Sequence, residues 1–144
     1  MEHKNIPFRF AKIETDEFAT IEGNFDESNE TLGVENGYDF GFNADDKAVA
    51  FTYKLTLLQE EQPFLILKVT GFFEIEPKAW ENQIEQKEQY IFPVNLLQHL
   101  LTLVVGTTRG IMHTKVSEQP YRDFVLPTVN VTEMITEDFV FDKE

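Results

Sequence analysis

The feature that most limits how this chain can fold is a run of apolar residues at helical spacing over residues 96–112. Pro93 stands just before it, where a helix can start, and Gly106 and Gly110 are the breakers within it. On a helical wheel the apolar side chains form one continuous arc of roughly 200°, about twice what a helix lying on one sheet requires. We therefore predict a long helix with a second apolar surface packed against it, for which another subunit is the obvious candidate.

The predicted contact with another subunit uses the side chains of this arc. We expect the oligomer interface to comprise Leu96, Leu97, Leu100, Leu101, Val104 and Val105. On this interpretation the protein is a dimer or a tetramer, and Leu100→Glu dissociates the assembly without unfolding every subunit.

Four segments before this helix have the pattern of strands. Residues 6–13, 38–43 and 49–57 alternate apolar with polar side chains. Residues 64–75 are more continuously apolar, as in a strand covered on both faces. A loop over residues 22–37, dense in Gly, Asn, Asp and Glu, separates the first two strands, and a loop of that length usually has a function.

Two further segments have weaker patterns. Residues 78–89 read as a weak helix or a loop. Thr132 is a plausible N-cap of a short amphipathic helix whose apolar points are Met134, Ile135 and Phe139. Because the strands are grouped before the helices and their connections are short, we predict a single α+β domain over residues 1–144. It has a four-stranded antiparallel sheet, the long helix packed on one face, and a short C-terminal helix.

The charge of the chain restricts its partners. Twelve basic residues against 26 acidic ones give a net charge of −14. Such a surface repels phosphate backbones and anionic lipid heads, so we expect neither nucleic acid binding nor membrane insertion. It also keeps a protein with sticky patches soluble and attracts basic partners.

The absence of cysteine, together with the hydropathy of the chain, indicates where it works. No cysteine is present, which suits a reducing cytoplasm. No stretch reaches the ~20 apolar residues that a membrane span needs, and the first ten residues lack the apolar core of a secretion signal. We expect a cytoplasmic protein.

The residue patterns of common catalytic and metal sites are missing. His99 and His113 share one helix face but are 14 residues apart, about 21 Å along the axis, which is too far for one metal ion. The acidic loop starting at Asp26 has Thr31 and Gly37 where a calcium loop needs glycine and glutamate. We predict that the protein is not an enzyme and that it uses no cofactor and no metal.

Several short motifs follow one another in the order of the predicted elements. They are Phe64-Leu65 followed by Gly71-Phe72-Phe73-Glu74-Ile75 in the last strand, Phe92-Pro93 at the start of the long helix, Arg109-Gly110 near its end, and the run Leu126-Pro127-Thr128-Val129-Asn130-Val131 before the last helix. Together they resemble the SecB family of protein-export chaperones. Phe8 to Ile13 is similar to the family's first strand. The resemblance thus spans nearly the whole chain.

The resemblance implies a homotetramer built as a dimer of dimers, and an ATP-independent holdase that binds unfolded polypeptides or preproteins in grooves. In the family these grooves are lined by aromatic side chains from the loop after the first strand and from the last helix. The residues of this chain in the matching segments are Phe25, Tyr38, Phe124, Met134, Ile135 and Phe139. The 14 phenylalanines are also compatible with a core that is simply rich in phenylalanine.

The resemblance also implies docking on a translocase motor through acidic residues. Glu17 and Glu22 lie near the matching places, but Leu67 and Lys68 stand near another acidic docking position. Two other functions stay open. One is an adaptor or structural protein of the same fold that binds one specific folded partner outside export. The other is a small-molecule binder or enzyme, which a bound ligand or a pocket of converging carboxylates would indicate.

Overall fold

The computed structural model describes residues 5–29 and 31–144, and over them it confirms the predicted α+β architecture. Four long strands come first, and two short strands and three helices follow. In chain order the elements are β1 (Phe8–Thr20), β2 (Gly33–Asn43), β3 (Ala48–Gln59), β4 (Gln62–Ile75), α1 (Pro77–Ala79) running into a π-helical turn (Trp80–Ile84), β5 (Gln89–Phe92), α2 (Val94–Lys115), α3 (Val131–Met134) and β6 (Phe139–Asp142).

The first four strands form one antiparallel sheet in the order β1-β4-β3-β2. Glu60 and Glu61 join β3 to β4 in a tight turn with φ values of 50° and 68°, the backbone geometry of a two-residue hairpin. Alternate side chains of β3 point to one face, where they are buried, and those between them are mostly Ala and Thr on the other face. One face of the sheet therefore carries the core, which we call the inner face, and the opposite one is the outer face.

Helix α2 lies over β3 and β4 on the inner face. Its closest approach is at Gly71 of β4, where an added Cβ would lie 2.7 Å from Val104 Cγ2 and 3.1 Å from the ring of Phe10. Both neighbours pack in or against the core, and close-packed side chains have little room to shift. Gly71 is therefore needed so that the helix can come close to the sheet.

Gly71→Ala is expected to lower the free energy of unfolding by about 1–3 kcal/mol, because the added methyl overpacks the contact with Val104. Gly41→Ala is the matched control, since a Cβ at Gly41 meets nothing within 4 Å among the described residues. Urea denaturation followed by circular dichroism measures both variants. Equal stability of the two would show that the helix does not approach the sheet at Gly71.

The second apolar surface that packs on α2 is part of the same chain. Leu126, Val131 and Ile135 are buried in the common core. Gln98 Nε2 donates to the Ile135 carbonyl at 2.8 Å, and Arg109 Nε donates to the Leu126 carbonyl at 3.1 Å. The segment after α2 thus folds back along the helix and accounts for its wide apolar arc.

The six side chains expected at an oligomer interface are therefore covered within the single chain. Leu96, Leu97, Leu100, Leu101, Val104 and Val105 are all buried. Contact with another subunit through them would require this core to open.

Two elements, β1 and the segment around Phe139, differ from the sequence-based expectations. Strand β1 does not end near Ile13 but continues to Thr20, which pairs with Leu65, because it runs along β4 for its whole length with two bulges. The acidic residues after Ile13 are tolerated since β1 is an edge strand with most of its side chains exposed. Phe139 lies in a strand rather than in the last helix, which is a single turn. Residues 77–84 are helical, in agreement with one of the two alternatives given for residues 78–89.

Candidate functional site

Aromatic rings gather beside α2, where the inner face of the sheet meets β5 and β6. We call this group the aromatic cluster; it comprises Tyr38, Phe40 and Phe42 of β2, Tyr90 and Phe92 of β5, and Phe139 and Phe141 of β6, with Phe51 and Trp80 beneath. Neighbouring ring centroids are 4.9–6.4 Å apart, and most pairs are tilted or edge to face, as aromatic rings prefer.

The register of β2 explains why its rings are available. Tyr38, Phe40 and Phe42 pair with Tyr53, Phe51 and Val49 of β3, so that all six side chains share the inner face. Because α2 lies over β3 and β4, the rings of the edge strand β2 extend past the helix. They pack instead on the short sheet of β5 and β6.

Burial divides the cluster into a floor and a rim. Phe51, Phe92 and Trp80 are fully buried and form the floor. The rings of β2, together with Tyr90 and Phe139, are half-buried, and Phe141 is 36% exposed. A surface of half-buried rings over a buried aromatic floor can bury further apolar side chains without directional requirements.

The structure brings three of the six expected client-binding residues together. Tyr38 and Phe139 belong to the aromatic cluster, stacked at 6.4 Å. The Tyr38 hydroxyl donates to the Met134 carbonyl at 3.5 Å, which places half-buried Met134 beside them. Ile135 is buried in the core, so it supports this surface from below.

Phe25 lies in a second aromatic site, at the other end of the inner face. Its ring is 4.9 Å from that of Phe64 and 5.0 Å from that of Tyr121, and the two partners are 5.0 Å apart. These rings line a cavity of about 340 Å³ whose rim includes Glu22 and Glu27. Burial raises the pKa of the Tyr121 hydroxyl above its usual value, so the phenol stays neutral. Phe124 follows Tyr121 closely in the chain and is half-buried.

The loop that carries Phe25 is fixed by the side chain of Gln59, which is buried. Gln59 Oε1 accepts from the Asp26 amide at 2.7 Å, and its Nε2 donates to the carbonyls of Asp26 and Asn29. Ser28 donates through its hydroxyl and its amide to the Asp26 carboxylate, which lowers the pKa of that carboxyl. The second aromatic site is therefore held in one geometry by the loop.

A buried phenol lies next to the aromatic cluster. Tyr53 is fully buried on β3, and burial raises the pKa of its hydroxyl, opposed by a hydrogen bond that Asn36 Nδ2 donates at 2.8 Å. The positive charge of Arg109 also acts to lower the pKa of the Tyr53 hydroxyl. The same guanidinium donates hydrogen bonds to the carbonyls of Leu126 and Pro127. Arg109 thus ties the segment after α2 to the inner face.

The outer face has a different character. Lys54 and Lys68 are cross-strand partners on β3 and β4. Glu17 of β1, the strand on the other side of β4, is also a cross-strand partner of Lys68. Thr52 and Thr70 share a hydrogen bond of 2.7 Å, and Thr70 donates to Asp16. Of the two expected docking residues, Glu17 lies on β1 and Glu22 at the rim of the second aromatic site.

Sequence reasoning missed Phe40, Phe42, Tyr90, Phe92 and Phe141 as candidate site residues. The alternation over residues 38–43 indicated that Phe40 and Phe42 share a face with Tyr38, and this signal could have found them. Strands β5 and β6 have only four residues each, too few for a reliable period.

Neither a metal site nor a membrane span emerges from the described residues. Over residues 5–29 and 31–144, no three His, Asp or Glu side chains are grouped to hold a metal ion. Within the same residues, every helix is too short or too polar to cross a bilayer.

Comparison with known proteins gives matches among solved structures. The SecB-like chaperone Rv1957 of Mycobacterium tuberculosis, solved with a ChAD peptide from the antitoxin HigA1, superposes with a TM-score of 0.62 at 8% identity, over 85% of this chain and 90% of its own. A protein of unknown function from Streptococcus agalactiae aligns over 88% of this chain and 99% of its own at 10% identity, with a TM-score of 0.41. No family model and no curated protein sequence matches the chain. The chain thus has a divergent SecB-like fold.

Proposed function

We propose that this chain is a SecB-like chaperone that holds unfolded polypeptides, including preproteins, without ATP and without catalysis. The observation that carries the proposal is the aromatic cluster, whose rim of half-buried rings surrounds a buried aromatic floor. The peptide complex of the structural neighbour supports polypeptide binding by this fold. The cluster would receive apolar side chains of a client.

Such a surface binds through apolar burial, at about 25 cal/mol per Å² of area removed from water. This term is not directional, so the expected preference is for apolar and aromatic segments rather than for one sequence. The net charge of −14 keeps a chain with exposed rings soluble and favours client segments with basic residues. Partly exposed rings allow the protein to bind unfolded chains, and the mutual repulsion of its negative charges keeps it soluble.

Within the proposal, the client contacts fall at two places. Tyr38, Met134 and the rings of β2 would receive client residues at the aromatic cluster. Phe25 would receive them at the second aromatic site, whose cavity is large enough for one or two side chains, with Phe124 nearby in the chain. An unfolded chain that spans both sites would gain avidity from two weak contacts.

The proposal is tested by an aggregation assay. The purified protein is expected to suppress aggregation of a chemically denatured client at about one chain per client, with the same effect with or without ATP. Light scattering follows aggregation, and a folded acidic protein of similar size serves as the control. Absence of suppression, together with absence of binding to unfolded chains, would refute the holding function.

The finer parts of the proposal are assembly and export. We propose a cytoplasmic homodimer or homotetramer, which multi-angle light scattering tests at micromolar concentration. For export, Glu17 and Glu22 would dock on a translocase motor, both being exposed carboxylates. A Glu17→Lys, Glu22→Lys double variant is expected to lose binding to the motor and to retain client holding. Equal motor binding by both proteins would contradict the docking assignment.

The outer face favours a second candidate function. Its central pair of lysines, Lys54 and Lys68, lies beside the Thr side chains of β3 and next to Glu17 of β1, on a strongly acidic protein. Two adjacent lysines in the middle of a sheet face suit one folded partner with an acidic patch, as an adaptor would require. Capture of a single stoichiometric partner, lost in Lys54→Glu, together with indifference to unfolded chains, would favour the adaptor over the chaperone.

A further inference from the structure

Strand β6 lies in the aromatic cluster as an extended segment with rings at alternate positions. Phe139 and Phe141 both face the rings of β2, whereas Val140 between them points away and is 53% exposed. The backbone of β6 pairs antiparallel with β5, from Gln89 with Asp142 to Phe92 with Phe139. The strand therefore places an aromatic pair, spaced at i and i+2, against the rings of β2 along the edge of β5.

The contacts of these two rings are those that a bound segment would make. Phe139 lies 5.2 Å from Phe40 and stacks on Tyr38, and Phe141 lies 5.0 Å from Phe42 and 5.9 Å from Phe92. The rings of β2 and of β5 contact one another, and we call the surface that they present to Phe139 and Phe141 the aromatic groove. In this structure it is occupied by the chain's own residues.

The attachment of β6 is short. Beyond the four-residue ladder, Lys143 pairs with Glu85 at 2.8 Å and its amide donates to the Glu88 carbonyl at 2.9 Å. On the other side, Asp138 accepts from the Val94 amide at 2.8 Å. An isolated two-stranded ladder is only marginally stable in water, and a part-exposed ion pair contributes little. The attachment of β6 therefore depends chiefly on its two phenylalanine rings, and the release of β6 from β5 needs less free energy than global unfolding.

We propose that β6 is an exchangeable occupant of the aromatic groove, and that the groove takes extended segments with aromatic side chains at i and i+2, which add as a strand to β5. This inference rests on the proposed function and names its substrate class. Unfolded chains supply such segments in the extended conformation. The main-chain hydrogen bonds with β5 can form with any sequence, while the positions now filled by the rings of Phe139 and Phe141 select aromatic side chains at i and i+2.

The first test uses the full chain with Phe139→Ser and Phe141→Ser, which empties both ring positions. A fluorescent peptide of residues 136–144 is expected to bind this variant at least about tenfold more tightly than the unchanged chain, because β6 no longer competes from within the same molecule. Fluorescence anisotropy measures the binding. The same peptide with serine at both phenylalanines is expected not to bind, and Val140→Ser, on the outward side of β6, is expected to behave like the unchanged chain.

The second test keeps every ring. Ile91 and Val140 are cross-strand partners, and the chain has no native cysteine, so Ile91→Cys with Val140→Cys can form one disulfide that locks β6 onto β5. The oxidised protein is expected to bind the peptide at least about tenfold more weakly than the same protein after reduction. Its holding of a denatured client is expected to fall in parallel.

Each result decides the proposal. Tight peptide binding by the Phe139→Ser, Phe141→Ser variant, together with weak binding by the oxidised disulfide variant, supports β6 as an exchangeable strand. The proposal is overturned if the serine variant stays folded and does not bind the peptide, if loss of both rings unfolds the whole chain, or if the locked and reduced forms bind equally. The peptide readout uses no client, so peptide binding without suppression of aggregation would refute the holding function and leave the groove standing. If the oxidised and reduced proteins hold a denatured client equally well, the holding function would stand and the aromatic groove would be excluded as the place where clients bind.

Discussion

Leu100→Glu is expected to unfold the chain rather than to dissociate an assembly of folded subunits. Leu100 is 0% exposed in the single chain, in the core between α2 and the sheet. A carboxylate there would be desolvated among apolar side chains, which together with the lost apolar burial costs more than about 4 kcal/mol. Such a loss is comparable to the whole stability of a small domain.

Far-UV circular dichroism and thermal denaturation measure the effect. Thr102→Glu is the matched control, since it puts the same charge two residues away on an exposed position of the same helix, where a stability change of at most about 0.5 kcal/mol is expected. A folded Leu100→Glu protein of smaller molecular mass would contradict this prediction and would mean that α2 is covered by another subunit.

The case of α2 shows how far the sequence could predict the fold. Its 22 residues give several turns of regular apolar spacing, so the helix and the side chains that it buries could be identified from the period alone. The wide arc also required a second apolar surface. Periodicity cannot say which chain supplies that surface, and here Leu126, Val131 and Ile135 of the same chain do so.

The ends of strands were harder to predict for a different physical reason. An edge strand such as β1 needs only one hydrogen-bonded neighbour, and its polar side chains remain in water, so apolar alternation stops at Ile13 while the pairing continues to Thr20. Strands β5 and β6 are stabilised by ring contacts with β2, which are distant in sequence. Phe139 was therefore expected in a helix, because no local pattern records a contact with Phe40.

Only part of the candidate site could be predicted, again because contacts between residues distant in sequence leave no local pattern. Tyr38 and Phe139 were selected through the family resemblance, and the structure places them 6.4 Å apart. Phe25, selected on the same grounds, proves to lie in a separate aromatic site held by Gln59. Which rings share one surface depends on strand order and register, and these are set by the whole sheet.

Phe40→Glu is expected to reduce client holding by at least about tenfold, the scale of loss when a central residue of a binding surface is changed. Phe40 is a central ring of the aromatic groove, where it contacts Phe92 on β5, Phe42 beside it and Phe139 of the occupant β6. A carboxylate at this half-buried position stays hydrated and would have to be desolvated whenever an apolar segment binds. The loss applies to β6 and to a client alike, so weaker competition by β6 cannot compensate.

The neighbouring residue gives a stringent control for this prediction. Gly41 lies on the same strand but on the outer face, and a Cβ atom added there meets nothing within 4 Å among the described residues. Gly41→Glu thus adds the same charge to the same strand about 3.4 Å away and on the opposite side of the sheet. Both variants are compared in the aggregation assay, at a temperature where circular dichroism shows each to be folded. Loss of holding in Phe40→Glu alone would assign clients to the inner face. Equal activity of the two variants would exclude the aromatic groove as the binding surface, and loss in Gly41→Glu alone would move the clients to the outer face with its pair of lysines.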